Sequence, residues 1–311
     1  MEEPRSYPLV LRTAAYRWLQ PATGIVLAVL TFALFAPLIG QAVLAVAIAV
    51  DHDGAFAPAF NEALDLDPVT WQGLLYLNLL LAFLVPATWA IVRLVHGVSG
   101  KFLMSVKPGI RWRFFWACAG LALVAVALQL TLGAILGGDQ NSLSGSANKA
   151  TGTLLAMGLV VLLTTPFQAM GEEFLFRGYL MQAFGALTRR PWVAVLLTSL
   201  LFALAHGVQN APLFLDRLSF GLMAGYVVVR TGGLEAGIAL HVWNNLFAFG
   251  LALGLGDITE TLNVEETSWA NLPLSLVQNG SYLLLVVWLA HRMRITPVTD
   301  RPVLLPAQAS V

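Results

Sequence analysis

The strongest constraint on this chain is a recurrence of charge-free apolar runs, each close to the length that carries a helix across a bilayer. About 20 such residues are needed for a ~30 Å hydrocarbon core. The runs fall at residues 22–48, 70–92, 114–136, 152–171, 191–209, 218–230, 234–255 and 271–290. The sixth is short and glycine-rich, so seven spans is the alternative to eight. Only helices or closed barrels satisfy every backbone group in lipid. The expected fold class is therefore an all-α polytopic membrane protein, a bundle of about eight transmembrane helices forming a single membrane domain over 1–311. Composition agrees: 58% of the 311 residues are hydrophobic and 11% charged, against about 25% charged in soluble domains.

The formal net charge is zero, so no field for a nucleic-acid partner is implied. The single cysteine, Cys118, allows no internal disulfide framework. The chain shows no internal repeat and no long low-complexity stretch. Arg5, Arg12 and Arg17 precede an apolar run at 21–50, which is about twice as long as a secretory h-region and reads as an uncleaved first span.

Orientation follows from the Lys/Arg bias of short loops. With the N-terminus inside, 15 of the 17 basic residues fall on inner segments, Arg177 and Arg301 counted among them, and only Lys149 and Arg217 fall outside. The outer loops collect acids instead, Asp51, Asp53, Glu62, Asp65, Asp67, Asp257, Glu260, Glu265 and Glu266. Both termini are expected in the cytoplasm, with tails at 1–20 and 292–311. The alanine-, leucine- and valine-rich spans with short loops suggest a bacterial inner membrane.

Charged and strongly polar groups inside apolar spans are costly and mark function. Three clusters lie between Glu172 and Asn245. In the first, Gly171-Glu172-Glu173-Phe174-Leu175-Phe176-Arg177, the i, i+4 spacing places Glu173 and Arg177 on one face within reach of a salt bridge. Glu172 sits roughly 100° around the helix and is left unpaired. The second is Phe202 to His206. The third is His241 to Asn245, one turn apart, with Asn244 on a different face. Read alone, each has a bland explanation: an interfacial charge cluster, a packed histidine, and interhelical hydrogen-bond glue. Of five histidines, only His206 and His241 stand well inside apolar runs; His52, His96 and His291 fall at loops or span ends. Read together, the clusters supply a base, two imidazoles and an amide, the inventory of a hydrolytic site.

The ordered E-E-x-x-x-R, F-x-x-x-H and H-x-x-x-N elements resemble those of the CAAX prenyl protease and bacteriocin-processing (CPBP, or Abi) family of intramembrane metalloproteases. The resemblance implies a catalytic core over 151–256 and an endopeptidase acting on a membrane-associated or lipidated peptide. It makes Glu172 the essential glutamate, Glu173 and Arg177 its supporting pair, and His206, His241 and Asn245 the second- and third-motif residues. In that reading Glu172, helped by His206, activates water for cleavage near the cytoplasmic side of the membrane, and His241 and Asn245 donate to the oxyanion. Glu172, His206 and His241 would also supply three ligands for a catalytic Zn²⁺. No H-E-x-x-H is present, and the same residues can act on water without metal; both chemistries stay open. Trp192, Trp243, Phe247 and Phe249 are candidates for an apolar substrate wall.

Straight, fully spanning helices would place Glu172 and His241 near the cytoplasmic ends, but His206 about 22 Å into its span. Either 174–190 re-enters the membrane, or the 191–209 helix starts outside it, or the site lies near the midplane. The competing class is a non-proteolytic membrane protein, an ion-coupled carrier or an interaction or immunity subunit. Carriers tend to show inverted repeats, which this sequence lacks.

Overall fold

A computed structural model describes residues 3–51, 54–136, 147–300 and 302–304. His52, Asp53 and Arg301 lie outside the described residues. Among those described, the architecture is helical, with three isolated β-bridges and no strand.

Among the described residues, seven helices are long and apolar enough to cross a membrane. In chain order they are α1 (Leu19–Val50), α2 (Trp71–His96), α3 (Trp112–Leu136), α4 (Gly152–Thr188), α6 (Ala211–Thr231), α7 (Glu235–Leu255) and α8 (Asn271–Arg292), with a shorter apolar helix, α5 (Pro191–Leu204), between α4 and α6. The protein is a polytopic all-α membrane protein, as its apolar runs require. The short member is the fifth, not the sixth: the sixth runs back to Ala211, where Asn210 caps it by accepting from the backbone N–H of Leu213 at 3.2 Å.

The largest departure is α4. The expected span ended at Gly171, but the helix continues through both acids, widens into a π-helical stretch over Phe174–Leu180, and ends at Thr188. Arg189 then takes a left-handed conformation (φ 59°) and Pro191 opens α5, so α4 and α5 form a tight hairpin. Glu172 stands 16 residues before Thr188 and His206 stands 15 residues after Pro191. Both are therefore about 22–24 Å from the turn at 1.5 Å per residue, and the hairpin brings them level. Glu172 lies near the middle of a long helix, not at a span end. Arg177, counted above as a loop cation, is buried within that helix.

Both described termini sit at one end of the bundle. Ser6 pairs with Val298 and Val98 with Leu304, and the Thr299 backbone N–H donates to the Arg5 carbonyl at 2.9 Å. The N-terminal segment is no loose tail, because Tyr7, Val10 and Leu11 are buried and the Tyr7 hydroxyl donates to the Leu103 carbonyl. At the same end, Arg111 grips Glu235 through two nitrogens at 2.8 and 2.6 Å and also donates to the Thr231 carbonyl at 2.7 Å, fixing the start of α7. The outer surface is apolar, with Leu155, Leu159, Leu162 and Leu163 of α4 turned outward. Exposed Trp18, Trp112, Trp116, Trp192 and Trp288 cluster toward the terminal end, as the interfacial tryptophans of a membrane protein do. This is an integral, multi-pass membrane protein.

Candidate active site

The site begins with a glycine. A Cβ at Gly171 would lie 2.0 Å from the Leu81 carbonyl oxygen, so its missing side chain lets α2 and α4 touch backbone to backbone. Nearby, Asn78 donates to Thr164 at 2.8 Å and Thr165 at 3.1 Å. The two carboxylates that follow are thereby held at fixed depth between helices.

Glu173 points into protein and is fully buried. Its Oε1 accepts from Arg177 Nη1 at 2.9 Å and from His241 Nδ1 at 3.0 Å. A carboxylate paired with a guanidinium is ionised and only accepts, so the proton between the two residues sits on Nδ1 of His241. Gly237 makes room for the other oxygen: a Cβ there would lie 2.9 Å from Glu173 Oε2. The Arg177 guanidinium lies over the Phe202 ring at 3.9 Å, with Phe220 at 5.2 Å, a cation–π contact that occupies the face of a buried charge. Phe202 also touches both imidazoles, with ring centroids 4.7 Å from His206 and 5.9 Å from His241.

Glu172 points the other way, into a cavity of about 1100 Å³ that is also lined by His206, His241 and Asn245. His241 Nε2 lies 3.7 Å from Glu172 Oε2, a gap wider than a direct hydrogen bond. His206 donates from Nδ1 to the Phe202 carbonyl at 2.8 Å, which leaves its Nε2 as an acceptor. The six residues expected to act together are thus brought together. Asn244, expected on a separate face, lines the same cavity and accepts from Gln278 at 2.7 Å. Of the aromatic wall, Phe247 and Phe249 line the cavity; Trp243 does not, and Trp192 stacks on Tyr226 at the bundle surface with ring centroids 5.6 Å apart.

One residue went unnoticed in the sequence. Gln168, one turn before Glu172, donates through Nε2 to Glu172 Oε1 and accepts through Oε1 from Asn245 Nδ2 at 2.8 Å. It ties the first motif to the third across α4 and α7. The available signal was an amide inside an apolar run, spaced i, i+4 from an unpaired acid.

Among the described residues, no three His, Cys, Asp or Glu side chains are grouped as metal ligands. His241 gives Nδ1 to Glu173 and Glu172 gives Oε1 to Gln168, so a Zn²⁺ at this site would be held through His241 Nε2, Glu172 Oε2 and His206 Nε2, and would supply a polarised water.

Fold and site together define a multi-pass helical membrane protein with an acid–histidine–amide cluster facing an internal cavity. Residues 152–247, the segment that carries all six motif residues, match the family described as Type II CAAX prenyl endopeptidase Rce1-like, which bears out the resemblance read from the motifs; the matched family is one of endopeptidases. Curated relatives include "Uncharacterized protein YyaK" of Bacillus subtilis (strain 168), 28% identical over 195 residues, covering 60% of this chain and 63% of that protein. Another is "Uncharacterized 24.3 kDa protein" of Escherichia coli, 31% identical over 98 residues, covering 31% of this chain and 44% of that protein. The chain spans less than two thirds of the length of either relative. No solved structure shows a significant match.

Proposed function

We propose that this protein is an intramembrane endopeptidase in which Glu172 activates water for attack on a peptide bond of a membrane-associated, hydrophobic or lipidated substrate. The catalytic unit is residues 151–256. The observation that carries this reading is the split of two adjacent acids. Glu173 is consumed by Arg177 and His241, whereas Glu172 faces the cavity with one oxygen fixed by Gln168 and the other 3.7 Å from His241 Nε2.

Hydrogen-bond direction sets what His241 must carry. Its Nδ1 donates to Glu173, so for Nε2 to donate as well, both ring nitrogens must bear hydrogen. Glu172 Oε2 then removes a proton from a water that His206 Nε2 also holds as acceptor. The resulting hydroxide adds to the scissile carbonyl carbon, and the carbonyl π pair moves onto oxygen. That oxyanion accepts from His241 Nε2–H and from the second N–H of Asn245, whose first goes to Gln168. Collapse breaks the C–N bond, and Glu172 returns its proton to the leaving nitrogen.

The test is direct. Purified protein in lipid nanodiscs is offered hydrophobic and farnesylated peptides in H₂¹⁸O, and products are weighed by mass spectrometry. One ¹⁸O in each new carboxyl supports the reading. No cleavage of any peptide, together with potential-driven ion flux in liposomes, would favour the carrier instead.

A further inference from the structure

The cavity draws its lining from one half of the bundle. The first half of α6 as far as Phe220 and the first half of α8 as far as Asn279 contribute, together with the loop residues Leu66, Val208 and Glu265. The other end of the bundle, formed by segments 97–111, 189–190, 232–234, 293–300 and 302–304, contributes no lining residue among the described residues. That other end is where both described termini are pinned, through the Ser6–Val298 and Val98–Leu304 bridges. Glu172 therefore lies at the floor of a cavity that opens away from the termini.

Charge divides along the same axis. Segments 93–113, 189–190, 230 and 292–294, at the terminal end, hold ten Lys and Arg residues and no acid. Segments 54–70 and 256–270, at the cavity end, hold seven acids and no Lys or Arg. Short loops rich in Lys and Arg are retained in the cytoplasm, so the terminal end is cytoplasmic and the cavity opens on the opposite side.

We propose that the site receives its substrate from the extracytoplasmic face of the membrane, and that the substrate is a hydrophobic peptide segment of an exported or membrane-inserted protein, not a lipidated cytoplasmic C-terminus. The identity of what is cleaved rests on the peptidase reading above; the side on which the cavity opens does not. Apolar Phe247 and Phe249 along the wall suit a peptide arriving with its side chains already in the bilayer.

The experiment places single cysteines in the full chain, in a Cys118→Ala background, and labels intact bacterial spheroplasts with a membrane-impermeant maleimide. Val208→Cys and Glu265→Cys report the cavity mouth; Lys107→Cys and Arg292→Cys, exposed at the terminal end, report the other. Full labelling of the first pair in intact spheroplasts, with the second pair labelled only after permeabilisation, is the expected result. Labelling of Val208→Cys and Glu265→Cys only after permeabilisation, or not at all, would overturn the proposal. A second arm feeds an impermeant charged peptide carrying one apolar segment to right-side-out and inside-out vesicles. Cleavage confined to right-side-out vesicles supports the proposal, and cleavage confined to inside-out vesicles overturns it. Outside labelling without cleavage in either vesicle would retain the access side and reject the peptidase reading.

Discussion

Oε1 of Glu173 accepts from Arg177 Nη1 at 2.9 Å and from His241 Nδ1 at 3.0 Å, so a single buried oxygen joins the supporting ion pair to the imidazole that faces the cavity. The second acid of the motif thereby holds a hydrogen on Nδ1 of His241 and orients its ring, in the way outer carboxylates orient histidines elsewhere.

This coupling gives the first expectation. Stranding one partner of a buried ion pair costs about 3–5 kcal/mol. Glu173→Ala and Arg177→Ala should each lower the melting midpoint in detergent and reduce cleavage. The double variant should regain part of the stability but not the activity, because His241 Nδ1 is still left without its acceptor. A double variant no more stable than the worse single would remove the ion pair from the structure's support.

Gln168 gives the second. Its amide holds Glu172 and Asn245 at once, and a hydrogen bond to a charged group contributes about 1.5–3 kcal/mol. Gln168→Leu should lower kcat by about tenfold or more, with KM less affected and the melting midpoint close to the parent. Steady-state kinetics on one substrate decides it. A change confined to KM would make Gln168 a substrate contact instead.

Gly237 gives the third. A methyl group there would lie 2.9 Å from Glu173 Oε2, and that neighbour is itself locked by two hydrogen bonds. Gly237→Ala should lower both stability and activity, whereas Gly250→Ala, which meets nothing within 4 Å on the same helix, should leave both near the parent. Equal behaviour of the two variants would show that the packing around Glu173 gives way easily.

The fourth concerns metal. In the proposed mechanism Glu172 takes the water proton directly, so prolonged treatment with a strong chelator, followed by dialysis against metal-free buffer, should leave the cleavage rate within about twofold of the untreated enzyme, far from the 10²–10⁴ that loss of a catalytic group costs. Loss of activity restored stoichiometrically by Zn²⁺ would reverse that expectation.

Much of the fold was legible because lipid imposes one rule on every span, and eight apolar runs obey it closely enough to be found. The errors came where that rule is locally relaxed. The run at 152–171 stops at Glu172 only because hydropathy counts charges singly; Glu173 and Arg177 neutralise each other, so the helix continues to Thr188. The run at 191–209 stays apolar past Leu204, but Gly207 at φ 80° takes the chain into a turn and the helix ends early. Within the site, the Glu173–Arg177 pair was readable from i, i+4 spacing, as was the shared face of His241 and Asn245. Gln168 was not, because it is uncharged and its role appears only when α7 brings Asn245 against it. The direction in which the cavity opens was equally hidden, since it depends on how half-helices are arranged around Glu172.

The central claim is that Glu172, and not its neighbour, is the base. The deciding measurement is the single-turnover cleavage rate of Glu172→Gln in nanodiscs, alongside its melting midpoint. Glutamine keeps the shape and can still bond Gln168 but cannot take a proton. The rate is expected to fall by about 10²–10⁴ while the midpoint stays near that of the parent protein. A Glu172→Gln protein that cleaves at the parental rate would contradict the claim outright.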